Sequence, residues 1–132
     1  MGVILDVDTS NFLQEVMSSD KVTLVEFWHE TCPWCARLAP ILNEIAEEYK
    51  GRIKFTRFNI LANPYNKELA AHLGIMSTPT IAFFCKGKTL QGASGFMTKG
   101  QLEKTLEDVL QRYKQCLEQS TEVKQNYDQF YT

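Results

Sequence analysis

The chain has no long hydrophobic run and little excess charge. Its longest apolar stretches, such as 80–85, are far shorter than the roughly 20 residues that span a bilayer, so we expect no membrane segment. The formal net charge of −2 over 132 residues gives no indication of binding to nucleic acid or to an anionic membrane surface. The N-terminus lacks the basic and apolar regions of a signal peptide, so we expect a cytoplasmic protein.

Histidine and cysteine are also scarce, with two and four residues respectively. Structural zinc needs four ligands, usually as two close pairs. Only Cys32 and Cys35 form such a pair, and the other cysteines and both histidines lie outside ligand spacing. We therefore expect no metal site and no bound cofactor. In a reducing compartment the pair favours a catalytic dithiol over a structural disulfide.

The cysteine pair lies between a predicted strand and a predicted helix. Residues 22–28 are rich in β-branched and aromatic side chains, which indicates a buried strand. Apolar residues then recur at helical spacing over 38–49. This arrangement places Cys32 at a helix N-terminus, where unpaired amides and aligned dipoles stabilise a nucleophilic thiolate. Cys35 lies on the same side of the first turn and can close a disulfide with little backbone movement.

Four neighbouring residues are expected to support the pair. Pro33 has no N–H to leave unpaired, and its fixed φ suits a first helical turn. Trp34 is expected at the mouth of the site, where it packs on a bound peptide or shields the sulfurs. Trp28 either packs beneath the dithiol or fills the core. Pro40 lies inside the predicted helix, where its missing N–H predicts a kink.

The remaining pattern alternates strands and helices. It predicts further strands near 3–5, 53–59, 80–85 and 88–94, and helices near 9–18, near 66–73 and after the capping-box pair Thr98 and Gln101. The order β-α-β-α-β-α-β-β-α predicts an α/β domain, with a mixed sheet and helices on both faces. We assign 1–113 to this domain and 114–132 to a C-terminal helical extension or flexible tail.

Several of these segments resemble the thioredoxin family, over about 22–110. The strand 25–28 with the following Cys-x-x-Cys resembles the family's active-site strand and helix, and 39–46 resembles that helix with its internal proline. The segment 74–80 resembles the loop that holds the family's cis-proline. The resemblance implies a thioredoxin fold and reduction of protein disulfides, with electrons from a separate thioredoxin reductase or another donor. We expect a monomer.

The resemblance also implies roles for individual residues. Thr78 and Pro79 would hold substrate backbone opposite the dithiol, and Gly95 would line the same groove. Glu26 stands where the family usually has a buried Asp that accepts a proton, so it is the candidate acceptor for the proton of Cys35. Burial raises the pKa of a carboxyl group, which suits it to proton transfer near neutrality. In the implied cycle the first cysteine attacks a substrate disulfide and the second resolves the mixed disulfide.

Three positions depart from the family pattern. Pro33-Trp34 replaces the usual Gly-Pro and is similar to glutaredoxins, which work with glutathione. Glu26 replaces Asp, and Thr31 replaces the usual tryptophan before the first cysteine. The dipeptide leaves open a disulfide oxidant, an isomerase or a glutathione-linked enzyme. A non-enzymatic alternative is a peptide-binding module that uses only the groove beside Pro79.

Four other residues have more than one interpretation. Arg57, on the next strand, either pairs with Glu26 or lies with its stem on the surface. His29 either favours the thiolate when protonated or is simply solvated. Cys85 is predicted to be a small buried hydrophobic residue, and Cys116 an unreactive exposed thiol rather than a cross-link between chains.

Overall fold

The computed structural model describes residues 3–114, which form five strands, three α-helices and one π-helical segment. The strands are β1 (Ile4–Val7), β2 (Thr23–Trp28), β3 (Lys54–Asn59), β4 (Thr80–Cys85) and β5 (Lys88–Ser94). The α-helices are α1 (Pro33–Glu48), α2 (Pro64–His72) and α3 (Lys99–Arg112), and the π-helical segment is Leu13–Met17. No helix among the described residues is both long and apolar enough to cross a bilayer.

The five strands form one mixed sheet in the order β1-β3-β2-β4-β5. β1 and β2 run parallel to β3 on either side of it, whereas β4 is antiparallel to β2 and β5 is antiparallel to β4. The β-branched and aromatic residues of β2 suit its central position, because every residue from Thr23 to Phe27 is buried. The mixed sheet confirms the predicted α/β class and places the junction between β2 and α1 at the middle of one sheet edge.

The two faces of the sheet bury separate cores. Leu24 of β2 packs with α1 and α3 on one face, through Leu38 and Leu102 among others. Val25, the next residue, packs on the opposite face with the π-helical segment and α2. Since side chains alternate along a strand, Glu26 projects toward the same face as Leu24. The carboxyl group of Glu26 therefore lies on the side of the sheet that α1 covers.

The helix predicted over 9–18 is shorter in the structure, where Phe12 is helical, Leu13–Met17 is π-helical and neither Thr9 nor Ser10 caps the segment. Residues 9–11 form a turn, in which Asp8 accepts from the backbone N–H of Ser10 and Asn11 accepts from that of Asp8. The Phe12 N–H donates to the Asp8 carbonyl at 2.9 Å and the Glu15 N–H donates to the Asn11 carbonyl at 2.8 Å, so this turn leads into the helical segment. The following segment, Leu13–Met17, is π-helical and ends with the Ser18 N–H donating to the Leu13 carbonyl at 2.9 Å.

The helix predicted near 66–73 begins two residues earlier than expected. Pro64, rather than a residue near 66, is the first residue of α2. The Asn63 side chain caps the helix by accepting from the backbone N–H of Asn66 at 2.8 Å. Proline is suited to the first helical position, where no N–H is needed.

The last helix has the predicted capping box. The Thr98 hydroxyl accepts from the Gln101 backbone N–H at 3.2 Å, and the Gln101 side chain accepts from the Thr98 N–H at 2.9 Å. Residues 115–132 lie outside the described residues. Cys116 and almost all of the expected extension over 114–132 therefore lie outside them as well. The assignment of 1–113 to a single domain stays a prediction.

Candidate active site

Cys32 and Cys35 are joined by a disulfide at the N-terminus of α1, with 5.2 Å between their Cα atoms. Cys32 is the N-cap residue, and Pro33 is the first residue of the helix, as predicted. The backbone N–H of Cys35 donates to the Cys32 sulfur at 3.2 Å. The helix terminus therefore offers a hydrogen-bond donor and the positive end of its dipole to this sulfur, which favours the thiolate in the reduced state.

Glu26 lies in the buried interior near the active-site edge of the sheet. Its side chain is 0% exposed, and its Oε1 accepts from the Arg57 Nε at 3.1 Å. The two residues are register partners on β2 and β3, so the sheet itself brings them together. Of the two interpretations of Arg57, the structure shows the ion pair.

Burial has the largest effect on the pKa of the Glu26 carboxyl group. Removal from water raises the pKa of its carboxyl group above the ordinary 4.5, and the neighbouring Arg57 charge and hydrogen bond only partly oppose this. Within residues 3–114 the second carboxylate oxygen, Oε2, has no hydrogen-bond partner in the protein. A buried carboxyl group with a raised pKa, one oxygen bound and the other open is chemically suited to accept and release a proton.

Arg57 also contacts Trp28, the residue with which β2 ends. Its guanidinium carbon is 4.1 Å from the centroid of the Trp28 ring, within the range of a cation–π contact. The indole N–H of Trp28 has no partner among the described residues. Arg57 therefore links Glu26 to Trp28, a contact that the sequence interpretation of Trp28 as core or dithiol support did not include.

A cavity of about 320 Å³ opens beside the dithiol. It is lined by all four residues predicted to bind substrate and by one that was not predicted: Trp34, Thr78, Pro79, Gly95 and Phe96. We call this cavity the substrate groove. Its walls come from the first turn of α1, the loop before β4 and the residues after β5, which the strand order brings together.

The loop before β4 is shaped by its backbone. The Thr78–Pro79 peptide bond is cis, and the Pro79 carbonyl accepts from the Gly95 N–H at 2.8 Å. Gly95 has a φ of +98°, a conformation that side chains other than glycine rarely adopt. This hydrogen bond extends the pairing of β4 and β5 into the groove and fixes the two walls relative to each other.

The opposite flank of the active site has a different lining. His29 and Thr31 line a second cavity of about 350 Å³ together with residues 30, 59, 61 and 62. The Thr31 hydroxyl and the His29 Nδ1 are hydrogen-bonded at 3.1 Å. Thr31, where the family usually has tryptophan, therefore contacts His29 on this side. The sequence had not linked these two residues.

The remaining candidates lie apart from this site or support it through the helix. Pro40 lies inside α1, as predicted. Cys85 is fully buried in β4, as its apolar surroundings indicated. Among residues 3–114 no group of three or more His, Cys, Asp or Glu side chains is arranged to hold a metal ion.

These features together define a class of protein. A disulfide-forming Cys-x-x-Cys at a helix N-terminus, on a mixed sheet and beside an open groove, is the site of a thiol-disulfide oxidoreductase. The thioredoxin family model matches residues 3–108. The chain belongs to the thioredoxin family, has the thioredoxin fold and acts as a protein-disulfide reductase.

Curated relatives share most of their length with this chain. Thioredoxin 1 of Nostoc sp. is 38% identical over 107 residues, which are 81% of this chain and 97% of the relative. The thioredoxin of Acidithiobacillus ferridurans is 40% identical over 107 residues, 81% of this chain and 96% of the relative. The thioredoxin of Rickettsia felis is 39% identical over 97 residues, which are 74% of this chain and 90% of the relative. Family membership implies protein substrates and a reductase partner in general terms.

Proposed function

We propose that Cys32 is the attacking residue and Cys35 the resolving residue of the disulfide reductase. The single observation that carries this order is the position of Cys32 as the N-cap of α1, where it accepts the Cys35 N–H. The Cys32 thiolate attacks one sulfur of a substrate disulfide, and that bond breaks as a mixed disulfide forms. The departing substrate sulfur takes up a proton.

In the second step Cys35 loses its proton and attacks the sulfur of Cys32. The mixed disulfide breaks, the second substrate sulfur leaves as a thiolate that takes up a proton from Glu26 or water, and the Cys32–Cys35 disulfide remains. Two electrons and two protons have then moved to the substrate. We assign the proton of Cys35 to Glu26, supported by its burial on the α1 side of the sheet, its raised pKa and its open Oε2.

The substrate groove is the proposed binding site for the chain that carries the disulfide. Thr78 and Pro79 are proposed to pair with substrate backbone, with Trp34 and Gly95 as neighbouring walls. All four line one cavity beside the dithiol, which supports this role. Three further residues are proposed as structural support. Pro33 supports the first turn of α1 and Pro40 its middle. Trp28 supports Arg57 through their cation–π contact.

The wider role proposed for the protein follows from the cycle. The oxidised pair must be reduced again, and we assign this to a separate thioredoxin reductase or another electron donor. The protein would thereby carry electrons and contribute to cell redox homeostasis as a cytoplasmic monomer, in which 1–113 form the thioredoxin domain and 114–132 an extension.

Trapping of the mixed disulfide tests the order of attack. Cys35→Ser should hold a disulfide-bonded substrate protein covalently on Cys32, because the resolving thiol is missing. Cys32→Ser should trap nothing and lose turnover by at least about 10³-fold, since the nucleophile is absent. Non-reducing electrophoresis with mass spectrometry of the linked peptide measures both outcomes.

The control is the Cys32→Ser/Cys35→Ser double variant, which should neither trap nor reduce substrate. If Cys35→Ser traps nothing while the wild type reduces the same substrate, the proposed order is wrong. If the double variant retains the biological activity of the protein, the peptide-binding module is the correct description instead.

A further inference from the structure

Two aromatic side chains form one wall of the substrate groove. Trp34 is 50% exposed, and its ring centroid lies 5.4 Å from that of Phe96, with the planes tilted by 49°. Both rings line the groove, and Pro79 adds a further apolar side chain. Trp34 is two residues from Cys32 in the first turn of α1, so this wall adjoins the reacting sulfurs.

The ring of Trp34 is already in contact with other groups. The Arg37 guanidinium carbon lies 4.4 Å from the ring centroid, one helical turn further along α1. Phe96 contacts the same ring from the segment after β5. A large aromatic side chain that already has such contacts loses little conformational freedom when a ligand binds.

Arg37 does not line the groove itself, but it places a positive charge against the Trp34 ring, which does. Its side chain is exposed, and it forms no ion pair with any residue in the range 3–114. A cation at the edge of a binding site favours acidic partners and disfavours basic ones, mainly through the association rate. The groove therefore combines an aromatic wall with an uncompensated positive charge.

We infer that Trp34, Phe96 and Arg37 form a side-chain subsite that selects substrates with an aromatic residue next to the attacked cysteine, in a locally acidic segment. The inference rests on the proposed function, because it needs substrate to lie in the groove. The chemistry is unchanged: the same two electrons and two protons pass from the dithiol to the substrate. The subsite determines which disulfides are reduced fastest.

Three synthetic peptides, each closed by one intramolecular disulfide, test the subsite. The first has phenylalanine beside each cysteine and nearby glutamates, the second has alanine in place of phenylalanine, and the third has lysines in place of the glutamates. The fully reduced protein is mixed with each peptide, and the second-order rate of peptide reduction is followed by chromatography. We expect the first peptide to react about two- to tenfold faster than the second, the range for added aromatic contacts.

Variants of the wall separate binding from dithiol reactivity. Phe96→Leu keeps an apolar side chain and removes a ring, so the rate ratio of the phenylalanine and alanine peptides should fall toward one. Arg37→Gln should remove the preference for glutamate over lysine. Ratios within one variant cancel any change in the dithiol itself. Leu61→Ala is the matched control, since Leu61 is 53% exposed but lines the second cavity, and its ratios should equal those of the wild type.

The outcomes separate the subsite from the function on which it rests. If the wild type reduces all three peptides at equal rates, the subsite is wrong and the proposed function stands. If the rate ratio of the phenylalanine and alanine peptides is the same for Phe96→Leu as for the wild type, the aromatic subsite is likewise wrong. Failure of the wild type to reduce any of the peptides would contradict the proposed function itself.

Discussion

The two sides of the dithiol differ in almost every physical property. The interior side holds Glu26, which is 0% exposed and paired with Arg57 across neighbouring strands. The groove side holds Trp34, which is 50% exposed and forms part of an open, largely apolar cavity. One side places a charge where water is excluded, and the other exposes an aromatic ring to solvent.

This difference indicates a division of tasks. Buried groups contact no substrate side chain, so they act on every substrate alike, through proton transfer and the stability of the fold. Exposed aromatic groups contribute to binding and therefore distinguish one substrate from another. If the division is correct, interior substitutions should change the rate for all peptides by the same factor, whereas substitutions of the aromatic side chains of the groove should change the ratios between peptides.

The largest expected effect comes from Glu26→Gln. Glutamine has a similar shape but cannot accept the proton of Cys35, so resolution of the mixed disulfide should slow by about 10²- to 10⁴-fold, the usual contribution of general base catalysis. Attack by Cys32 should be little changed. Rapid mixing followed by acid quench should show the mixed disulfide accumulating, and the ratio between the aromatic and alanine peptides should stay as in the wild type.

Glu30→Gln is the matched control for this variant. Glu30 is an exposed acid two residues before Cys32, and it lines the second cavity rather than the interior. Its substitution should leave the lifetime of the mixed disulfide unchanged. If Glu26→Gln also leaves that lifetime unchanged, the proton of Cys35 goes to another acceptor and the interior side has no part in the chemistry.

The second prediction concerns how pH changes the free energy of unfolding. Burial raises the pKa of Glu26 in the folded protein above the ordinary 4.5. At pH values between the ordinary pKa of 4.5 and the raised pKa of the folded protein, the folded state holds a proton that the unfolded state has lost. The free energy of unfolding therefore decreases as pH rises through this range. The limiting slope for one group is about 1.4 kcal/mol per pH unit, and the decrease ends above the folded pKa. Urea denaturation across this range measures it.

In Arg57→Met, the decrease in the free energy of unfolding should continue to higher pH than in the wild type. The Arg57 charge lowers the pKa of Glu26 against the effect of burial, so its removal raises that pKa further. Loss of the charged hydrogen bond should also destabilise the protein by about 1–3 kcal/mol. In Glu26→Gln this pH dependence should be absent, which is the control. A wild-type curve identical to that of Glu26→Gln would show that the interior carboxyl titrates normally.

The sequence predicted the parts of the site that depend on local patterns. The Cys-x-x-Cys, the strand before it and the helix after it occupy one continuous segment, so periodicity and spacing were sufficient for Cys32, Cys35 and Pro33. The helix predicted over 9–18 was too long at its start, because residues 9–11 form a turn in which the Asp8 and Asn11 side chains accept from backbone N–H groups.

Contacts between distant segments were harder to predict. Phe96 reaches the groove only because β5 pairs with β4, and nothing in its neighbouring residues indicates a binding wall. The contact of Arg57 with Trp28 likewise needs the register of β2 and β3. Thr78, Pro79 and Gly95 were found through resemblance to a family, which supplies such long-range information where spacing cannot.

The smallest expected effect tests the backbone of the groove side. Gly95→Ala places a Cβ in open space, but at a φ of +98° that alanine rarely adopts. We expect a loss of about 1–2 kcal/mol in stability from this strain, with weakening of the hydrogen bond to Pro79. Gly100→Ala is the control, since it also meets open space but lies in α3 without a positive φ.

The Gly100→Ala substitution should stabilise the protein by about 0.4–1 kcal/mol, because alanine favours the helix and restricts the unfolded chain. Denaturation midpoints of the two variants should therefore move in opposite directions. Only Gly95→Ala should also lower the rate for all groove-binding peptides, because it alters the wall that Pro79 and Gly95 share. Equal rates for the two variants would mean that this backbone hydrogen bond does not shape the groove, and that side chains alone separate the groove from the interior.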